Sequence, residues 1–293
     1  MDRRPESPPW NSMKHMIMER GFLSRFLTIR SFQGAGDPPI CGILKRIWSV
    51  TKLLPTCIVL AACSTKYKPE DAIRIAQTYT ELDWLPEARH IRHGADGSGI
   101  VVHTPDSTLG AHTGDTRGWW EPGIPAKGMP YKWGGFDTPE SFLQGLREGK
   151  KAGDVANTNK VRKDNAVVSG ESIGIDCSGF VSRCWGLTKP VSTRELPSLC
   201  DPVAWNDLRL GDIIRKEGHV LMFADRQGGY VIGYEAGPIP TWRARRCAIR
   251  INYLQKEGYS PWRYRNMAKP KLSGNETQYD INFPRGSRDA ETQ

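Results

Sequence analysis

Apolar residues first fall into a clear rhythm in "KPEDAIRIAQTYTELDWLPEARHIRHG", where Ala72, Ile73, Ile75, Ala76, Tyr79 and Leu82 recur at helical spacing and predict one amphipathic helix. A short strand is predicted from Ile100 to His103, followed by Pro-, Asp- and Gly-rich sequence up to Gly128. In "FDTPESFLQGLREGKKAG", Thr138 can cap a helix begun by Pro139, with Phe142, Leu143 and Leu146 on its apolar side. The next stretch, "DVANTNKVRKDNAVVSGES", is polar and turn-rich and reads as a surface loop. From Cys177 the pattern predicts a helix to about Trp185, then strands near Asp212 to Arg215, His219 to Ala224, Tyr230 to Glu235 and Ala248 to Tyr253. A helix ahead of several antiparallel strands indicates an α+β domain. The polar tail beyond Arg265 is expected to add little to the core, and the chain has no internal repeat.

The start of the chain has another character. In "LKRIWSVTKLLPTCIVLAACST", Lys45, Arg46 and Lys52 precede an apolar run from Leu53 to Ala62 that is too short to span a membrane, the arrangement of a signal peptide. The run ends in Leu60, Ala61, Ala62 and Cys63, which resembles the lipobox of bacterial lipoproteins. That resemblance implies cleavage before Cys63, lipidation of its thiol and a lipid anchor in the bacterial cell envelope. The preceding residues 1 to 44 carry no sustained apolar period and are expected to be a disordered leader, or the product of a start codon placed too far upstream.

Charge narrows the choice of partner. The net +9 includes nine Lys/Arg against four Asp/Glu in residues 1 to 63, so only about +4 remains beyond Cys63 and no nucleic-acid partner is expected. The seven cysteines, at 41, 57, 63, 177, 184, 200 and 247, have no pair at two-residue spacing, so no structural metal is expected. Export would permit a disulfide among Cys184, Cys200 and Cys247, with no spacing to choose the pair.

The stretch "GIDCSGFVSRCWGL" poses the question of chemistry. With Cys177 in the first turn of a helix, Phe180, Val181, Cys184 and Trp185 share its stripe, so the cysteine faces inward. A buried core cysteine is the ordinary reading of such a position. Against it stands the positive end of the helix dipole, which favours negative charge on the sulfur, and a backbone N–H that can point at a developing oxyanion. Gly179 is expected to keep that surface open to a substrate.

Downstream, "LRLGDIIRKEGHVLMFAD" starts an alternating strand in which His219, Leu221 and Phe223 share one face. A five-residue turn from Asp225 to Gly229 would pair Ala224 with Tyr230 and set His219 opposite Glu235. A carboxylate beside an imidazole fixes its tautomer and stabilises the imidazolium formed when the ring takes a proton. A one-residue change in the turn would undo this pairing.

Three blocks now stand in order: "GMPYKWGG" at 128 to 135, "DCSGFVSRCW" at 176 to 185 and "GDIIRKEGHVLMF" at 211 to 223. They resemble the NlpC-like cysteine peptidases of bacterial cell walls, which have a papain-like fold. The resemblance covers roughly Gly128 to Gly258 and implies Cys177 as nucleophile, His219 as base and Glu235 as the residue that orients the base. It also implies an oxyanion and substrate side built from Tyr131, with Trp133, Asp176 and Ser178. The third position is often His in that family, where this chain has Glu235, and 41 residues separate Gly135 from Cys177 in place of a short link. The insertion, about 136 to 173, is expected to roof or reshape the groove.

Other groups compete for attention. His90, His93, His103 and His112 lie near Asp96, Asp106 and Asp115 in sequence, but their spacings fit no compact metal motif and they read as polar loop residues. Arg243, Arg245, Arg246 and Arg250 read as a solvated strand face, and Trp119, Trp120, Trp133 and Trp185 as core or groove lining. The expected organisation is a leader (1–44), a signal peptide (45–62), an extension with one helix (63–127), a cysteine hydrolase domain (128–265) and a polar tail (266–293). The expected protein is a monomeric, lipid-anchored, periplasm-facing cysteine peptidase or amidase without a cofactor, acting on peptidoglycan peptides. The alternatives are amidase or acyltransferase chemistry on another substrate, and an inactive envelope binding protein.

Overall fold

The computed structural model of the chain describes residues 66–268 except 115–116, 164–166 and 238. The leader, the apolar run, Cys63, Asp115 and the tail from 269 onward lie outside the described residues. Helix α1 (Pro69–Thr80) starts at a proline and carries Glu70 and Asp71 in its first turn, where carboxylates suit the exposed N–H groups. Its periodic residues Ala72, Ile73, Ala76 and Tyr79 are all buried. Strands β1 (Asp83–Trp84), β2 (His93–Ala95) and β3 (Val101–His103) follow, then the short α2 (Leu109–Thr113) and β4 (Ala126–Lys127). β2 and β3 form a small antiparallel pair, as do β1 and β4.

Helix α3 (Pro139–Arg147) is capped as its sequence predicts: Thr138 Oγ1 accepts from the Ser141 amide while Ser141 Oγ accepts from the Thr138 amide. β5 (Lys151–Ala152) and β6 (Ser172–Ile173) pair in parallel, and between them lies helix α4 (Thr158–Lys163), where the sequence predicted only loop. The reason is a buried ion pair. Lys160 is 2 % exposed and its ammonium bonds Asp154, which is fully buried. A helical turn delivers the lysine to that carboxylate, a tertiary requirement that a polar sequence does not reveal.

Helix α5 (Cys177–Cys184) packs its stripe Phe180, Val181 and Cys184, with Trp185 following, against a six-stranded antiparallel sheet. The strands are β7 (Cys200–Pro202), β8 (Ile213–Lys216), β9 (His219–Gln227), β10 (Tyr230–Ala236), β11 (Ala244–Arg250) and β12 (Ser260–Tyr264), in the spatial order β11-β10-β9-β8-β12-β7. The face bearing Val220, Met222, Tyr234 and Ala236 meets α1, α3 and α5 in one core. The extension therefore shares its core with α5. The opposite face, with Leu221, Phe223, Val231 and Cys247, is covered by Leu254 of helix α6 (Ile251–Lys256).

Two expectations about this sheet need correction. The predicted strand from Ala248 to Tyr253 ends at Arg250, because Arg250 pairs with Tyr230, the first residue of β10, and no ladder partner exists beyond it; the chain turns into α6. The five-residue turn is also wrong. Gln227 pairs with Tyr230 across a two-residue Gly228–Gly229 turn, and the register shifts between Ile232 and Gly233, leaving Ala224 as the extra residue of a β-bulge. A Cβ on Gly233 would lie 2.4 Å from the Met222 carbonyl oxygen, so the bulge needs a glycine there.

Nor is Met267 a tail residue without a core role. It is buried in the main core and bridges to Tyr67.

Candidate active site

Asp176 sits at the N-cap of α5, its Oδ1 accepting from the Gly179 amide at 2.6 Å and from Ser178 Oγ at 3.0 Å. Asp176 is half-buried, and the loss of solvent around its carboxylate pushes its pKa up against the pull of these bonds. Asp176 and Ser178 thus serve the helix start. Gly179 has a different role from the one expected: a Cβ there would lie 2.1 Å from the Gly135 carbonyl oxygen, so the glycine lets α5 lie against the first block.

That contact explains how blocks separated by the insertion become neighbours. The Ile175 amide bonds the Pro130 carbonyl at 3.1 Å, the Lys132 amide bonds the Ile175 carbonyl at 3.1 Å, and Phe136 also bridges to Ile175. The insertion therefore leaves and returns at one point. Tyr131 is held between the two ends, 4 % exposed, its phenol pKa raised well above normal by burial and by the neighbouring Cys177, Asp176 and Asp154. Its amide bonds the Trp242 carbonyl at 2.8 Å, and the two rings meet edge to face at 5.5 Å. Trp242 holds this position with a left-handed backbone (φ 46°), an arrangement that sequence periodicity gave no sign of. Trp133 is half-buried, tied through its amide to the Asp154 carbonyl at 2.8 Å.

Cys177 is 6 % exposed, with its sulfur 4.0 Å from the Gly218 carbonyl oxygen at the turn into β9. His219 follows at once. Its Nε2 lies 2.7 Å from Glu235 Oε2, while Nδ1 is buried with no hydrogen bond of normal geometry. Burial would push the imidazole's pKa down, but its interactions with Cys177 and Glu235 outweigh that and raise it to about 10. For Glu235, burial pushes upward, and the bonds from His219 and Arg245 hold the carboxyl down at about 2.

The bulge is what lets the pair meet. Continued without it, the Gln227–Tyr230 register would set Glu235 opposite Met222, on the α5 face and away from His219. The shift pairs Tyr234 with Met222, so Glu235 falls opposite Leu221 and shares the face of His219, a diagonal neighbour.

Two further groups escaped the sequence reading. Arg245 stands directly across from Glu235 in the ladder and donates to Oε1 from Nε at 3.0 Å, with a second guanidinium nitrogen at 2.9 Å. The strand alternation that looked like a solvated face is real, but its ladder partner is a buried carboxylate. Tyr259 presents its ring edge-on to His219 at 6.3 Å between centroids.

The histidines of the extension divide. His90 is a structural residue, its ring bonded by the Glu87 amide and the Leu146 carbonyl, and Asp96 closes its own turn by accepting from Ser98, Ile100 and Ser169. His103, His112 and Asp106 come together around His93: its Nε2 is 2.9 Å from Asp106, its Nδ1 3.3 Å from His103 Nδ1, and its ring stacks on His112 at 4.0 Å. Among the described residues no group of three or more His, Cys, Asp or Glu side chains is arranged to hold a metal ion. Cys177, Cys184, Cys200 and Cys247 are all free thiols.

Fold and site together define an α+β protein that brings a helix-N-terminal cysteine, an imidazole and a carboxylate into one chain of contacts. Compared with known proteins, the sequence matches no family model and no curated protein.

Proposed function

We propose that the chain is a cysteine hydrolase of the papain-like, NlpC-like type, cleaving an amide bond in peptidoglycan stem peptides. The observation that carries this reading is the orientation of His219: one ring nitrogen bonds Glu235, and the other is left for the neighbouring Cys177. With its pKa near 10 the ring holds a proton at neutral pH; an imidazolium beside Cys177 favours attack on the carbonyl by the anionic sulfur and then protonates the leaving amine. The Cys177 N–H, which the Asp176 cap does not use, and the Tyr131 hydroxyl are the donors for the oxyanion. Water then releases the acyl group, with His219 as base. The N-terminal lipobox resemblance supports a site of action at the bacterial envelope, on a lipid anchor at Cys63.

The test is to incubate the full chain with purified peptidoglycan and identify soluble fragments by mass spectrometry. New amide-cleaved fragments are expected from the wild type and none from Cys177→Ala. Equal fragments from both proteins would refute the mechanism.

A further inference from the structure

We propose that Arg245 is a positioning residue of this site, holding the far oxygen of Glu235 so that the near oxygen stays charged and aligned on His219. The inference rests on the reading of Cys177 and His219 as nucleophile and base. Its ground is geometric. Glu235 has a side chain only 6 % exposed, and its two oxygens divide between two cationic partners: Oε2 to His219, Oε1 to Arg245. The second contact is the better anchored of the two, because Glu235 and Arg245 are direct ladder partners whereas His219 reaches the carboxylate diagonally across a bulged strand. The guanidinium sets two nitrogens within 3.0 Å of one oxygen, which restrains rotation of the carboxylate plane.

The other groups around the pair do not replace this contact. Cys247 on β11, Tyr253 on α6 and Tyr259 just beyond it all have pKa values raised by burial and by negative neighbours including Glu235, which favours their neutral forms. Lys216 lies over the Tyr259 ring and bonds Glu257, and Cys177 faces His219 from α5. Without Arg245, Oε1 loses the charged donor that the ladder sets against it, and an under-compensated buried carboxylate takes up a proton. A neutral Glu235 no longer stabilises the imidazolium.

The experiment follows alkylation of Cys177 by iodoacetate from pH 5 to 10.5 in the full-length protein, reading the Cys177 peptide by mass spectrometry. Wild type, Arg245→Met, Arg245→Lys and His219→Ala are compared, with thermal melts at neutral pH. The expected result is an alkaline limb, where the anionic reagent loses its imidazolium, that moves down by at least one pH unit in Arg245→Met and by less than half of that in Arg245→Lys. If Arg245→Met does not fold, the limb of Arg245→Lys lying below that of the wild type carries the proposal. Arg245 variants that melt lower but keep the wild-type pH profile would overturn it, since a structural contact alone moves only the melt. Wild-type alkylation unaffected by His219→Ala would instead sink the underlying reading of the site.

Discussion

Among the described residues, two buried imidazole–carboxylate contacts have nearly equal length, His219–Glu235 at 2.7 Å and His93–Asp106 at 2.9 Å, and they behave in opposite ways. At His93, burial is the largest influence and lowers the pKa; the attraction of Asp106 does not offset it, and nearby His112 adds repulsion. Asp106 also accepts from Thr104 and from the amide and hydroxyl of Thr108, so its charge is shared. At His219 the same burial is outweighed, because a sulfur stands on one side of the ring and a carboxylate anchored by Arg245 on the other. A carboxylate beside a histidine therefore does not make a catalytic base. What distinguishes the site is the group on the second nitrogen.

The sharpest way to break this contrast is to truncate each ring. His219→Ala is expected to slow release of amide-cleaved peptidoglycan fragments by about 10²–10⁴-fold, the usual worth of a positioned acid–base group, while His93→Gln leaves it within about twofold. Equal losses in the two variants would erase the distinction.

Next in size is the ion pair beneath Tyr131. Lys160→Met is expected to cost about 3–5 kcal/mol in urea unfolding, because it strands a fully buried Asp154. Asp154→Asn combined with Lys160→Met should recover part of that loss. No recovery in the double variant would mean that packing, not charge, holds α4.

The two histidines should also leave opposite marks on stability against pH. His219, raised from 6.5 to about 10, contributes stability that is complete below about pH 6.5 and is lost as pH rises toward 10. Glu235, lowered from 4.5 to about 2, contributes stability present above about pH 4.5 and lost as pH falls through 2. His93, with a lowered value, instead weakens the fold as pH drops below 6.5, where the unfolded chain takes up a proton that the folded ring resists. Thermal melts should thus show His219→Gln flattening the alkaline side and His93→Gln the acid side. Both variants flattening the same side would contradict the electrostatic account.

The smallest effect expected is at the helix start. Asp176→Ala removes the cap of α5 and should cost about 1 kcal/mol in urea unfolding, whereas Asp176→Asn, which keeps an acceptor, should cost less. Equal costs would mean that the negative charge matters more than the hydrogen bond.

Where local chemistry decides structure, the sequence was readable. Thr138 and Pro139 announce α3, the stripe from Phe180 to Trp185 announces α5, and alternation from His219 announces β9. Strands β7 and β12 were missed, since β12 contains Pro261 and is placed between β8 and β7 partly by Arg263 bonding the buried Asp212. The same limit hid Arg245 and Lys160. Each is charged and reads as surface, and each takes its place through a carboxylate, six residues before Lys160 and ten before Arg245, whose burial only the tertiary structure sets. Cys177, His219 and Glu235 could be nominated together, but the register offered for them was wrong, because nothing in "ADRQGGYVIG" tells a bulge at Ala224 from a longer turn.

That bulge turns the hairpin into an exercise in odd and even numbers. Fifteen residues lie between His219 and Glu235, and an odd interval across a tight two-residue turn puts its ends on opposite sides of a regular ladder. One unpaired residue restores the balance. Deleting Ala224 makes the interval even, and the straightened hairpin still presents imidazole and carboxylate to each other. In any chain built on this plan with the same tight turn, counting the residues between base and carboxylate tells whether the strand must be bulged.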